Sequence, residues 1–159
     1  MERKEKIENY LNGHQELKDA LYKIPQEVWQ YKPSPTEWSV HEIIIHIADS
    51  ETNACIRLKK IISEPDTVAP NYDQGQWAEN LPYHQMSIDL ALELLGCLRR
   101  QNCELLNLVE DSKWENKLNH KASGGLTIDK WLDMYINHIT SHIGQMNRNY
   151  KNWQKSKNN

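Results

Sequence analysis

Apolar residues in this chain recur at i, i+3 and i+4 in four long blocks, residues 3–24, 39–63, 87–110 and 127–154, and no block shows sustained alternation with polar residues. A period near 3.6 places such residues on one face of a helix, so the pattern predicts four amphipathic helices and no strand. Helices with one apolar stripe bury it against one another, and 159 residues is the size of one domain. The expected fold is all-α: a single four-helix bundle over 1–154, with the polar residues 155–159 as a frayed tail.

Local signals punctuate the blocks. The first carries Ile7, Tyr10, Leu11, His14, Leu17 and Leu21, then meets Pro25, which cannot continue a helix. The second opens on Ser39-Val40-His41-Glu42, a capping box in which hydroxyl and carboxylate satisfy orphan amides, and Val40, Ile43, Ile44, Ile47, Ala54, Leu58 and Ile61 form its stripe. The third begins near Ser87 and runs through Ile88, Ala91, Leu94, Leu95, Leu98, Leu105 and Leu108, with the Arg99-Arg100 pair read as a solvated face. The fourth follows the break Gly124-Gly125, with Thr127 as N-cap, Asp129 in the first turn, and Leu126 and Trp131 as a hydrophobic staple. Between the second and third blocks lies a long crossover, residues 64–86, whose Tyr72, Trp77 and Tyr83 are too aromatic for a solvated linker. Long ordered loops are often functional, and this one is placed to cross the bundle and cover a pocket mouth.

A net charge of −3 with scattered Lys and Arg offers no stripe for a phosphate backbone, so no nucleic-acid partner is expected. No segment approaches the ~20 apolar residues of a membrane span, and no apolar run follows the charged start, so a soluble cytoplasmic protein is expected. Cys55, Cys97 and Cys103 form no C-x-x-C pair, and an odd number cannot close as disulfides within the chain, which suits a reducing compartment. Each lies within a predicted helix and reads as a small buried hydrophobe.

Chemistry concentrates in the histidines. His138 and His142 are four residues apart on the last block, one turn above the other, and both turn toward the apolar side of that helix. Such a pair projected into a bundle core can share one ion, because neutral imidazole is a good ligand for Zn²⁺ and its neighbours. A third ligand must come from another helix: His46, after Ile43-Ile44-Ile45, is the leading choice, with His41 and His14 as competitors. His84 and His120 fall in predicted loops. Core histidines satisfied by nearby hydroxyls or carbonyls are the alternative, since H-x-x-x-H also arises by chance. Glu51 falls within the second helix's apolar arc, and a buried acid needs partners; orienting a ligand histidine, acting as a fourth ligand or serving as a general base all fit it. Asp49 projects toward solvent. No H-E-x-x-H, Walker loop, G-x-G-x-x-G or G-x-S-x-G occurs.

Glu37-Trp38-Ser39-Val40 leading to Ile45-His46-Ile47-Ala48-Asp49-Ser50-Glu51 resembles the first block of the DinB/YfiT-like family, and Asn137-His138 with His142-Ile143-Gly144-Gln145 resembles its last. Tyr72-Asp73-Gln74-Gly75-Gln76-Trp77-Ala78 is also similar to that group. The resemblance implies a four-helix bundle with one divalent metal, zinc or nickel, on His46, His138 and His142. Many members have Arg directly after the last histidine, where this chain has Ile143, which weakens any inference about an anion held there. Some relatives use low-molecular-weight thiols, so the resemblance implies a metal-dependent S-transferase of the bacillithiol type, with a thiol and an electrophile as partners. Metal-dependent hydrolysis and a non-enzymatic, stress-linked metal-binding role are the competing readings. A homodimer is expected on the same ground.

Overall fold

The computed structural model describes residues 2–120 and 124–158. Four long helices form the bundle: α1 (Arg3–Tyr22), α2 (Val40–Ser63), α4 (Ile88–Leu108) and α5 (Ile128–Lys157), with the short α3 (Gln74–Asn80) in the crossover. The principal packing pairs are α1 with α4 and α5, and α2 with α4 and α5. Chain neighbours α1 and α2 therefore sit across one diagonal and α4 and α5 across the other, a ring order of α1–α5–α2–α4.

Three of the four long helices start at side-chain caps, and α1 does not. Ser39 accepts from the Glu42 amide while Glu42 reaches back to the Ser39 amide at 2.7 Å; Ser87 and Thr127 accept from the Leu90 and Lys130 amides. Leu126 and Trp131 are both fully buried in one cluster with Ile7, Tyr10, Leu58 and Leu132, while a second cluster gathers Leu17, Leu21, Ile43, Ile44, Leu92, Leu95 and Met146 at the other end. No helix is long and apolar enough to cross a membrane among the described residues.

Several expectations are corrected. A strand pair exists: β1 (Lys117–His120) pairs antiparallel with β2 (Gly124–Thr127), and Val68 bridges to Asn119. Four-residue strands are too short for a period-two pattern to emerge, and the Gly pair that read as a break belongs to β2. His120 therefore lies in a strand. Arg99 is fully buried, whereas Arg100 is exposed, so the pair is split between core and solvent. The inward face of α4 is Ala91, Leu92, Leu95, Arg99, Asn102, Cys103 and Leu106, which leaves Leu94 and Leu108 outside. Cys55 and Cys103 are buried but Cys97 is exposed. Polar residues 155–157, expected to fray, continue α5.

Candidate metal centre

On α2, the capping box fixes the helix start, and the inward face that follows carries Ile43, Ile47 and, between them, His46, which is fully buried. On α5, Trp131, Tyr135 and Ile139 define the inward face, and the i, i+4 pair His138 and His142 borders it, half-buried. Packing α2 on α5 brings the three rings together. The His46 and His138 Nε2 atoms are 3.2 Å apart, those of His142 and His138 3.1 Å, and one nitrogen from each residue falls within a set spanning 4.8 Å.

Electrostatics keep these imidazoles neutral. Burial first, then the neighbouring histidines, pushes His46 down to about 3; burial, His142 and the Arg99 guanidinium do the same to His138. Burial also lowers His142, against the Gln145 side chain. The outward nitrogens have partners: His142 Nδ1 donates to Gln145 Oε1 at 2.9 Å, and His46 Nδ1 meets the Tyr72 hydroxyl at 3.2 Å. Uncharged rings with inward nitrogens converging on one point form a donor set for a divalent ion. Two imidazoles at about 2.0–2.1 Å from a tetrahedral Zn²⁺ stand roughly 3.3 Å apart, close to the spacing seen, so the residues fit such an ion.

The walls are aromatic. Trp38 lies 4.6 Å from the His46 ring and 6.4 Å from that of His142, and Asn149 holds its carbonyl from α5 at 2.7 Å. Tyr72 stacks on His46 at 6.2 Å with Trp77 edge-on behind it at 4.9 Å, and Tyr135 stands 6.3 Å from His138. The 64–86 crossover thus lies against the histidine cluster. The roles of Tyr72, Trp38 and Gln145 were not foreseen; the aromatic content of that crossover was the only sequence signal for the first.

Other candidates lie elsewhere. His41 pairs with Gln30 and the Met86 carbonyl, and His84 pairs with Glu42. His14 packs over Gly96 and lines a cavity of about 540 Å³ between α1 and α4 with Lys18, Asp89, Glu93 and Arg100. None of the three clustered histidines lines that cavity; converging ligand atoms, not volume, mark the site. Asp49, expected in solvent, is half-buried and accepts from Tyr83 at 2.6 Å. Glu51 is buried in an ion pair: one carboxylate oxygen accepts from the Tyr10 hydroxyl, the other from Arg99 Nε and Nη2 at 3.1 and 2.9 Å.

A family model described as the DinB superfamily matches residues 10–146. A protein of Oceanobacillus iheyensis, provisionally named a metal-dependent hydrolase, is 34% identical over 130 residues, covering 82% of this chain and 75% of that protein. A Bacillus mycoides protein with the same provisional name is 30% identical over 119 residues, covering 73% and 68%. Among solved structures, YfiT from Bacillus subtilis, described as having an unusual four-helix bundle topology, superposes with a TM-score of 0.86 at 22% identity, over 97% of this chain and 90% of that one. With its bundle, its diagonal helix order and a family match over most of its length, this chain belongs to the DinB superfamily.

Proposed function

We propose that the chain is a metal-dependent enzyme in which His46, His138 and His142 hold one divalent ion, zinc or nickel, and that its nucleophile is a low-molecular-weight thiol of the bacillithiol type transferred to a carbon electrophile. One observation carries the metal: neutral imidazoles whose nitrogens converge within 4.8 Å with no carboxylate among them. Three protein ligands with a position to spare is the pattern of catalytic rather than structural sites. When bound, such an ion supplies Lewis acidity that lowers the pKa of a coordinated thiol or water.

The thiol reading rests on what the chain does not offer around these histidines. Glu51 is engaged by Tyr10 and Arg99, so it is not free to take a proton from water. A thiol, with a pKa near 8.5, needs less help than water to ionise. Trp38, Tyr72 and Trp77 supply a partly exposed aromatic wall beside the attacking sulfur. In the step itself, sulfur bonds to the electrophilic carbon, the leaving group departs with its electron pair, and the thiol proton passes to solvent.

Hydrolysis is the second reading, supported by the provisional names of the relatives at 30–34% identity. Metal-loaded protein incubated with electrophiles and esters, with and without added thiol, separates the two. Turnover that requires thiol and disappears in His142→Ala supports transfer. Thiol-independent turnover would replace it with hydrolysis, and stoichiometric metal without turnover would favour a binding role.

A further inference from the structure

Two arginines lie buried among the described residues, and they differ in their counter-ions. Arg99 is paired with Glu51 at 2.9 Å. Arg57, on α2, is 9% exposed and takes part in no ion pair among the described residues. Its Nη1 donates to the Tyr135 hydroxyl and its Nη2 to the Pro70 carbonyl, both at 3.1 Å, while its Nε is buried without a partner. A guanidinium stays charged and offers five N–H groups, so two neutral oxygens leave most of its donors unused and its charge uncompensated. Buried charges are ordinarily paired, because losing water without gaining an anion is costly.

Position ties this residue to the histidines. His46, Ser50, Asn53 and Arg57 are all buried and fall at i, i+4, i+7 and i+11, a polar stripe along one face of α2. The same two elements cover both of its ends: Tyr72 of the crossover and His138 of α5 meet His46, and Pro70 and Tyr135 meet Arg57. From His46 to Arg57 is about three turns, and a helical side chain leans toward the helix N-terminus, which brings the guanidinium to on the order of 10 Å from the histidine nitrogens. Tyr135 accepts from Arg57, so its own hydroxyl proton is left to donate in the same place.

We propose that Arg57, with the Tyr135 hydroxyl, binds a carboxylate of the substrate whose reacting atom lies at His46, His138 and His142. The seam between α5 and the crossover then takes an acidic ligand, anchored at one end and reacting at the other. The place of the reacting atom rests on the metal reading above; anion binding at Arg57 does not. A carboxylate takes two N–H groups of a guanidinium together, a pairing that a neutral amide does not match. Either the thiol or the electrophile can carry that carboxylate.

Calorimetry on metal-free and zinc-loaded protein tests this with 6-mercaptohexanoate against 6-mercaptohexanamide and with hexanoate against hexanamide. Wild type should bind acid more tightly than amide by about tenfold or more. Arg57→Gln should lose that preference while keeping zinc and the affinity for amides, which a purely structural role would not produce. Arg57→Lys, which keeps the charge without the fork, should retain a reduced preference. Equal affinities in wild type, or a preference that survives in folded Arg57→Gln, overturn the proposal; if Arg57→Gln does not fold, an undiminished preference in Arg57→Lys overturns it instead. Turnover of zinc-loaded protein with an acidic thiol and a neutral electrophile, then with the charges exchanged, identifies the carrier as the arm whose KM rises in the Arg57 variants. Wild type that prefers acids but binds neither zinc nor nickel would keep the anion site and sink the metal reading.

Discussion

Among the polar side chains that helix α2 buries, His46 and Glu51 lie about a turn and a half apart, and the protein treats them in opposite ways. Around Glu51 the carboxylate and its cation are fully engaged, and of the side chains joined to them only Asn102 leaves an atom, its Oδ1, without a partner among the described residues. The Glu51 oxygens accept from Tyr10 and Arg99, Arg99 also donates to the Tyr10 and Tyr135 carbonyls, and Asn102 donates to the Tyr10 hydroxyl at 2.9 Å. Around His46 the outer nitrogens are tied while the inner ones converge on one another. Closed polar groups in a core hold structure; converging lone pairs ask for a cation. The two regions also touch electrostatically, since Arg99 contributes to keeping His138 neutral.

The comparison is tested hardest at Arg99. Arg99→Met strands the Glu51 charge in the core and should destabilise the fold by about 3–5 kcal/mol in urea titration, while Glu51→Leu combined with it should recover most of that loss. If the double variant stays as unstable as the single one, the network is not a self-contained pair. Stability of the double variant with zinc binding intact would confirm that the two regions serve different ends.

The histidine cluster should respond to metal instead. Zinc at about a hundred times its Kd should stabilise wild type by about 2.7 kcal/mol, and a chelator should remove that increment. His138→Ala should abolish the increment, whereas Arg99→Met should lower the baseline and leave an increment in place. Equal zinc responses in wild type and His138→Ala would place the ion elsewhere.

Much of this difference was legible in the sequence, and its limits are physical. Spacing alone put His138 and His142 on one face, and the run Ile43-Ile44-Ile45 on the α2 stripe made His46 the leading third ligand over His41 and His14. Glu51 was recognisable as a buried acid, but its partner was not: Arg99 beside Arg100 has the look of a solvated pair, and only the packing of α4 against α2 tells them apart. Tyr72 and Tyr83 reach α2 from residues that are distant in sequence, through contacts no periodicity encodes. The β1–β2 pair was missed because its strands are shorter than the pattern that identifies strands.

A smaller effect comes from the glycine that admits Arg99. A Cβ on Gly13 would stand 2.5 Å from Arg99 Nη1 and 3.4 Å from Ile139, and Arg99 is held by Glu51 and two carbonyls, so it cannot withdraw. Gly13→Ala should therefore destabilise by about 1–3 kcal/mol by overpacking, against the ~1 kcal/mol that alanine ordinarily gains within a helix. A more stable Gly13→Ala protein, read by thermal melting, would show that the closed network has slack.

The smallest effect lies at the start of α2, where Glu42 is satisfied in the manner of Glu51 but at the rim. Its carboxylate is buried, which by itself raises the pKa, yet the Ser39 amide, Lys32 at 3.0 Å and the His84 charge outweigh burial and hold it below the usual carboxylate range. A depressed folded pKa contributes stability that is fully present above the unfolded value near 4.5 and is lost as pH falls through the folded one. Glu42→Gln keeps an acceptor for the capping box and removes the charge, so it should cost about 1 kcal/mol or less at pH 7 and flatten this part of the acid limb. Urea midpoints from pH 7 down to 3 would check it. A wild-type to Glu42→Gln difference that widens toward low pH would mean that the rim carboxylate is held by burial, not by its partners.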